Sequence, residues 1–161
     1  MSQAYDYGIK KLWILNVGDL KHNEFPLSYF MNLAYDFKKW GTDSPNVTFE
    51  YTKEAVALSM GGKLSEKQVE AAASILTEQV RLNGIRRPEA LNPFIYHPCH
   101  FNEADRILKR LDALEKAEKD FAKTLGEDEK RAWYSLCGFQ VKATVNLIRM
   151  HLSAICFIIC T

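Results

Sequence analysis

Leu12-Trp13-Ile14-Leu15-Asn16-Val17-Gly18-Asp19 carries a buried-strand pattern straight into an amide, a glycine and a carboxylate. An apolar run rich in aromatic and β-branched residues, closed by glycine, reads as a strand covered on both faces, the kind found in parallel sheets and (β/α) barrels. Such strands carry their sites at the carboxyl end, where the residues just past the strand face the ligand crevice. Asn16 and Asp19 stand at that end and are the first candidates for chemistry. A turn cap or helix cap is the other reading of Asp19. No second strand of this quality follows. A parallel strand needs neighbours on both sides for its backbone donors and acceptors, so the rest of its sheet is expected outside these 161 residues.

Working outward, Ala4 to Gly8 reads as the last turn of a helix stopped by glycine. Leu20 to Glu24 reads as a loop and Pro26 as the first residue of a helix reaching Phe37, with Leu27, Phe30, Leu33, Ala34 and Phe37 on one face. Helix, strand and helix over Ala4 to Trp40 make one and a half elements of an α/β barrel. Gly41 to Asn46 is a turn-rich link, and beyond it every periodic segment is helical. The expected class is mainly α. Residues 1–45 hold one orphan β-strand and form the carboxyl-terminal piece of a (β/α)8-type barrel, and residues 46–161 form a helical bundle.

In the bundle, Glu50 to Met60 reads as a helix ended by Gly61-Gly62. Ser65-Glu66-Lys67-Gln68 is a capping box opening a helix to Asn83, with Val69, Ala72, Ala73, Leu76 and Val80 as its apolar face and Gly84 as its stop. After a proline-containing loop, Asn102-Glu103 opens a helix to Leu125 with Ala104, Ile107, Leu108, Leu111, Leu114, Ala117 and Phe121 at helical spacing. Gly126 breaks it, and Asp128 to His151 forms another. Two long antiparallel helices packed on the Ser65 helix make a small bundle. The apolar tail Leu152 to Cys160 has about half the length of a membrane span and reads as a helix packing face or an uncovered end. From Ser153 on it loses helical alternation, as an uncovered end or a frame-shifted reading frame would.

With 47% hydrophobic residues, 25% charged residues and a net charge of +1, the chain is globular, with no electrostatic case for nucleic acid or an acidic membrane. Met1 to Lys11 lacks the apolar core of a secretory signal, so the chain as written is expected in the cytoplasm. Cys99, Cys137, Cys156 and Cys160 form no CxxC pair and read as mostly buried thiols. His97-Pro98-Cys99-His100 with Asp105 offers zinc-type ligands, but the intervening proline and the lack of a second cluster favour a packing loop; no metal or cofactor is expected. Arg86-Arg87 has the guanidinium forks to clamp a carboxylate, against the simpler role of covering helix ends and pairing with Glu89. Trp13 and Trp133 read as core, while Trp40 beside Gly41 is open to either role.

Asp6-Tyr7-Gly8, the run Leu12 to Lys21, Glu24-Phe25-Pro26-Leu27-Ser28-Tyr29-Phe30 and Ala34-Tyr35-Asp36 resemble glycoside hydrolase family 115, the xylan α-glucuronidases. Asn83, Arg86-Arg87-Pro88-Glu89, Phe101-Asn102-Glu103-Ala104 and Val141-Lys142-Ala143 are similar to that family's helical region. The resemblance runs from Ala4 to Leu152 and implies the end of a catalytic barrel plus the helical domain after it. It implies inverting removal of glucuronic acid, or its 4-O-methyl ether, from glucuronoxylan or its oligosaccharides by a full-length parent that is secreted or periplasmic. Inverting hydrolysis needs two carboxyl groups about 6.5–9.5 Å apart. On this resemblance Asp19 is the catalytic candidate, as base or substrate-orienting group, and Asn16 donates to a sugar hydroxyl or to the uronate. Asn83 and Arg86 are the substrate-binding candidates from the helical region. Where the family pattern has proline after the lysine, this chain has His22.

Two functional classes follow. In one, the chain is part of a glycoside hydrolase and is inactive alone. In the other, it is a non-catalytic helical interaction module that binds a partner or self-associates through exposed apolar faces.

Overall fold

Ser65 Oγ accepts the backbone N–H of Gln68 at 3.4 Å while Gln68 Oε1 accepts the N–H of Ser65 at 3.0 Å, closing the expected capping box. The helix it opens is one of eight α-helices in the computed structural model, which describes residues 1–21, 23–41 and 47–160, with only the backbone for 159 and 160. His22 and most of the link expected over Gly41 to Asn46 lie outside the described residues. The chain divides into two compact units, Met1–Ala55 and Val56–Thr161.

The first unit holds α1 (Ser2–Asp6), α2 (Glu24–Tyr35), α3 (Phe37–Trp40) and the first turns of α4 (Val47–Ser59). Its core is aromatic. Leu33, Trp40 and Tyr51 are buried, with Trp13, Phe25, Tyr29 and Phe37 packed against them. The Trp40 and Tyr51 rings meet edge to face at 4.9 Å, so Trp40 is core. The strand expected over Leu12–Val17 does not form: the segment is irregular, and no strand occurs among the described residues. The physical reason is the one raised by the sequence, since a lone strand has nothing to pair with.

The helix expected from Pro26 begins two residues earlier, at Glu24, with Asn23 as its N-cap. It also breaks at Asp36 (φ −133°, ψ 77°), where the Asp36 Oδ1 accepts the Lys39 N–H at 3.1 Å and starts α3. That break puts Phe37 on a new helix and leaves Ala34 exposed, contrary to the single apolar face read from the sequence.

The second unit is the bundle. α5 (Glu66–Ile85), α6 (Glu103–Lys123) and α8 (Phe139–Cys160) pack mutually, joined by short 3-10 turns, α7 (Glu127–Trp133) and a π-turn over Tyr134–Gly138. α4 stops where Gly61 (φ +64°) and Gly62 (φ +70°) take left-handed conformations that other residues adopt only under strain. Gly84 does not stop α5, which runs on to Ile85. Val80 is exposed, and Ile75, Gln79 and Leu82 are buried in its stead. On α6, Ala117 is exposed while Glu118 is buried.

The tail takes the helix-packing reading, contrary to the loss of helical alternation expected from Ser153 on. It stays helical to Cys160 because Val141, Val145, Ile148, Leu152 and Ile155 continue one buried stripe at intervals of three and four residues. The stretch Glu127–Ile158 is long and apolar enough to cross a membrane by length and composition; one stripe of it is buried, while Met150, Phe157 and Ile158 are exposed. Of the thiols, Cys137 is buried, Cys156 half-buried and Cys99 exposed, so burial is not general.

Candidate functional site

Asn16 and Asp19 are exposed on the irregular segment of the first unit. Around them the chain leaves unusual surface bare: Leu12 is 72% exposed, Ile14 81% and Leu15 45%. No backbone-to-backbone hydrogen bond between described residues engages residues 10–19. The segment is tethered from its flanks instead, by Trp13 Nε1 donating to the Ile9 carbonyl at 2.7 Å and by Asn23 Nδ2 donating to the Asp19 carbonyl at 2.9 Å. Asn23, not Asp19, occupies the N-cap of α2, and the Asp19 carboxylate makes no ion pair among the described residues. Of the two capping roles read as alternatives for Asp19, the cap of the following helix is filled by Asn23.

Asn83 and Arg86 lie in the second unit, at the end of α5. Asn83 is half-buried, and its Oδ1 accepts from Thr144 Oγ1 at 3.3 Å, which in turn accepts from Gln79 Nε2 at 3.2 Å. This amide–hydroxyl–amide relay ties α5 to α8 and gives Asn83 a structural task. Arg86 is the exposed C-cap of α5. Neither Arg86 nor Arg87 pairs with Glu89 among the described residues, so the ion-pair role considered for them is absent. Nearby Tyr96 is buried with no partner for its hydroxyl among the described residues; burial pushes that hydroxyl above the usual phenol range, and the positive charges of Arg86 and Arg110 pull it part of the way back.

His97 is a loop-former. Its Nδ1 accepts the N–H groups of Cys99 at 3.1 Å and His100 at 2.9 Å, and its ring stacks on that of His100 at 4.0 Å. Among the described residues no group of three His, Cys, Asp or Glu side chains is placed to hold a metal ion.

One buried acid escaped the sequence reading. Glu118 is 4% exposed and accepts from Trp133 Nε1 at 3.2 Å. Its signal was its spacing, four residues after Leu114 and three before Phe121, which puts it on the buried face of α6.

The profile of glycosyl hydrolase family 115 matches residues 1–90, a span that contains Asn16, Asp19, Asn83 and Arg86. The chain belongs to glycosyl hydrolase family 115. It is by family a glycoside hydrolase sequence, mainly helical in fold. Among curated proteins no match to the chain is found.

Proposed function

We propose that this chain forms part of an inverting xylan α-(4-O-methyl)glucuronidase and is inactive alone. The observation that carries the reading is the segment Leu12–Val17, mostly apolar, largely exposed and without backbone pairing among the described residues, inside the family match. Unpaired backbone groups and bare apolar side chains in one segment favour a partner, and for this pattern the partner is a parallel sheet. Set between neighbouring strands, the segment ends with Asn16 and Asp19 at the carboxyl edge of a barrel, where substrate binds.

In that setting Asp19 acts as the base toward the attacking water or orients the sugar, and Asn16 donates to a hydroxyl or to the uronate. Arg86 offers a guanidinium fork to the uronate carboxylate, and Asn83 is the weaker contact because Thr144 already engages it. The acid that protonates the leaving oxygen comes from the strands that complete the sheet. Incubating the purified chain with glucuronoxylan tests the inactivity. The expected result is no released 4-O-methylglucuronic acid, and release that disappears in Asp19→Ala overturns it.

A second reading, a non-catalytic helical module, is favoured by the core of the second unit, where Leu111, Cys137 and Val141 are fully buried in a cluster of that unit's own residues.

A further inference from the structure

A cavity of about 610 Å³ opens beside the π-turn of the second unit, between the second half of α6, α7 and the first turn of α8. A space of that size suits a ligand of one or two sugar rings. Its lining includes none of Asn16, Asp19, Asn83 and Arg86. Single-turn π insertions in helices recur at functional sites. This one begins at Tyr134, which is 48% exposed on the cavity, directly after the buried Trp133.

The charges around the cavity select the occupant. Three of the lysines lining it are already engaged, Lys119 by Glu115, Lys123 by Asp120 and Lys130 by Glu127. Arg131 and Lys142 also line it, are exposed, and make no ion pair among the described residues. The Lys142 ammonium stands 4.9 Å from the centre of the Tyr134 ring. An anion outcompetes that contact, because a full opposite charge attracts an ammonium more strongly than a ring quadrupole does. The side of α7 and α8 thus presents two cations beside an open aromatic face, and the Arg131 guanidinium has the fork that carboxylates and phosphates fit. From α6 comes the opposite chemistry. Glu118 lines the cavity with its carboxyl buried, and Trp133 Nε1 fills one of the roughly four acceptor sites of a carboxylate. Such a group repels an anion and accepts hydroxyls.

A ligand that meets all of these has a negative group for Arg131 and Lys142, a face of C–H bonds for Tyr134 and hydroxyls for Glu118. Inorganic phosphate lacks the C–H face, and a neutral sugar lacks the charge. We propose that this cavity binds an anionic sugar, carboxylated or phosphorylated, at a site separate from the one assigned to Asp19. The proposal does not rest on the glucuronidase reading.

Isothermal titration of the full chain with glucuronic acid, glucose 6-phosphate, glucose and inorganic phosphate tests it. The expected result is saturable binding of at least one of the two anionic sugars, about tenfold or more tighter than that of glucose or of inorganic phosphate. Whichever anionic sugar binds tighter identifies the negative group. Arg131→Gln combined with Lys142→Gln, both at exposed positions, weakens binding about tenfold or more with the helical circular dichroism unchanged. Tyr134→Leu, which keeps apolar bulk but removes the ring, weakens it about threefold. Absence of saturable binding overturns the proposal, as does glucose binding as tightly as the anionic sugars or affinity undiminished in the double variant. Binding lost in Arg86→Gln but kept in the double variant assigns the sugar to the end of α5 and overturns it too.

Discussion

Trp133 Nε1 donates to Glu118 Oε1 at 3.2 Å, with the tryptophan 1% and the glutamate 4% exposed. The bond crosses from α6 to the last residue of α7, immediately before the π-turn that shifts the chain into α8. Burial, helped by the Glu118 carboxylate, drives the neighbouring Cys137 thiol far above its usual range, so that thiol is an inert packing group. Glu118→Ala leaves the indole N–H without an acceptor and is expected to lower stability by about 1–3 kcal/mol. Glu118→Gln keeps an acceptor oxygen and is expected to lose less. Urea denaturation of both variants measures the difference.

Gly138 closes the same π-turn. A Cβ there would sit 3.0 Å from Glu118 Oε1 and 3.3 Å from the Tyr134 ring. Glycine to alanine inside a helix ordinarily gains about 0.5–1 kcal/mol, but Glu118 is held by Trp133 and cannot easily give way. Gly138→Ala is expected to show no gain in wild type and a gain in the Glu118→Ala background. Equal effects in both backgrounds, in a double-mutant cycle, would remove Glu118 as the cause.

Arg149 on α8 reaches two acids of α6, with Nη1 2.7 Å from Glu115 Oε2 and Nη2 on Asp112 Oδ1. Hydrogen bonds from Lys119 and then from Arg149 hold the Glu115 carboxyl below its usual range. A carboxyl whose folded pKa is depressed stabilises the fold fully above its unfolded pKa, and that contribution is lost as pH falls through the lower folded value. Glu115→Gln is therefore expected to flatten the acid limb of the stability curve while the neutral-pH value drops. An acid limb as steep as wild type would contradict the assignment.

Leu12–Val17 divides local from absent contacts. Ile14 is 81% exposed, so Ile14→Ser is expected to change the stability of this chain by less than about 0.5 kcal/mol. Val56 is 1% exposed in the second core, and Val56→Ala is expected to cost about 1–3 kcal/mol. Amide hydrogen exchange gives the matching readout: residues 10–19 exchange at near-unprotected rates while the interior of α6 is protected.

The helical bundle was legible in the sequence because its signals are local. The Ser65–Gln68 box, the Gly61-Gly62 stop and the α6 stripe through Leu111, Leu114 and Phe121 each act within a turn or two, and each has its expected effect. What escaped reading depended on competition between neighbours. Gly84 sits inside α5 because Leu82 anchors the last turn beneath it, and Asp36 breaks a run of apolar periodicity by capping Lys39. Leu12–Val17 is the opposite case. Its composition reads as a strand, but pairing is a property of a sheet, and no sheet is present among the described residues. The candidate site shares that division: Asn83 stands on a formed helix and Arg86 caps its end, while Asn16 and Asp19 stand on a segment whose conformation depends on neighbours.

The most direct measurement is release of 4-O-methylglucuronic acid from glucuronoxylan when these 161 residues are expressed in continuity with the remaining barrel strands of a family relative, wild type beside Asp19→Ala. The expected result is release by the first, with inverted anomeric configuration, and its loss in the second while Leu12–Val17 gains exchange protection in both. Undiminished release from Asp19→Ala, or residues 12–17 still unprotected in the active protein, would contradict a barrel strand that ends at the catalytic carboxylate.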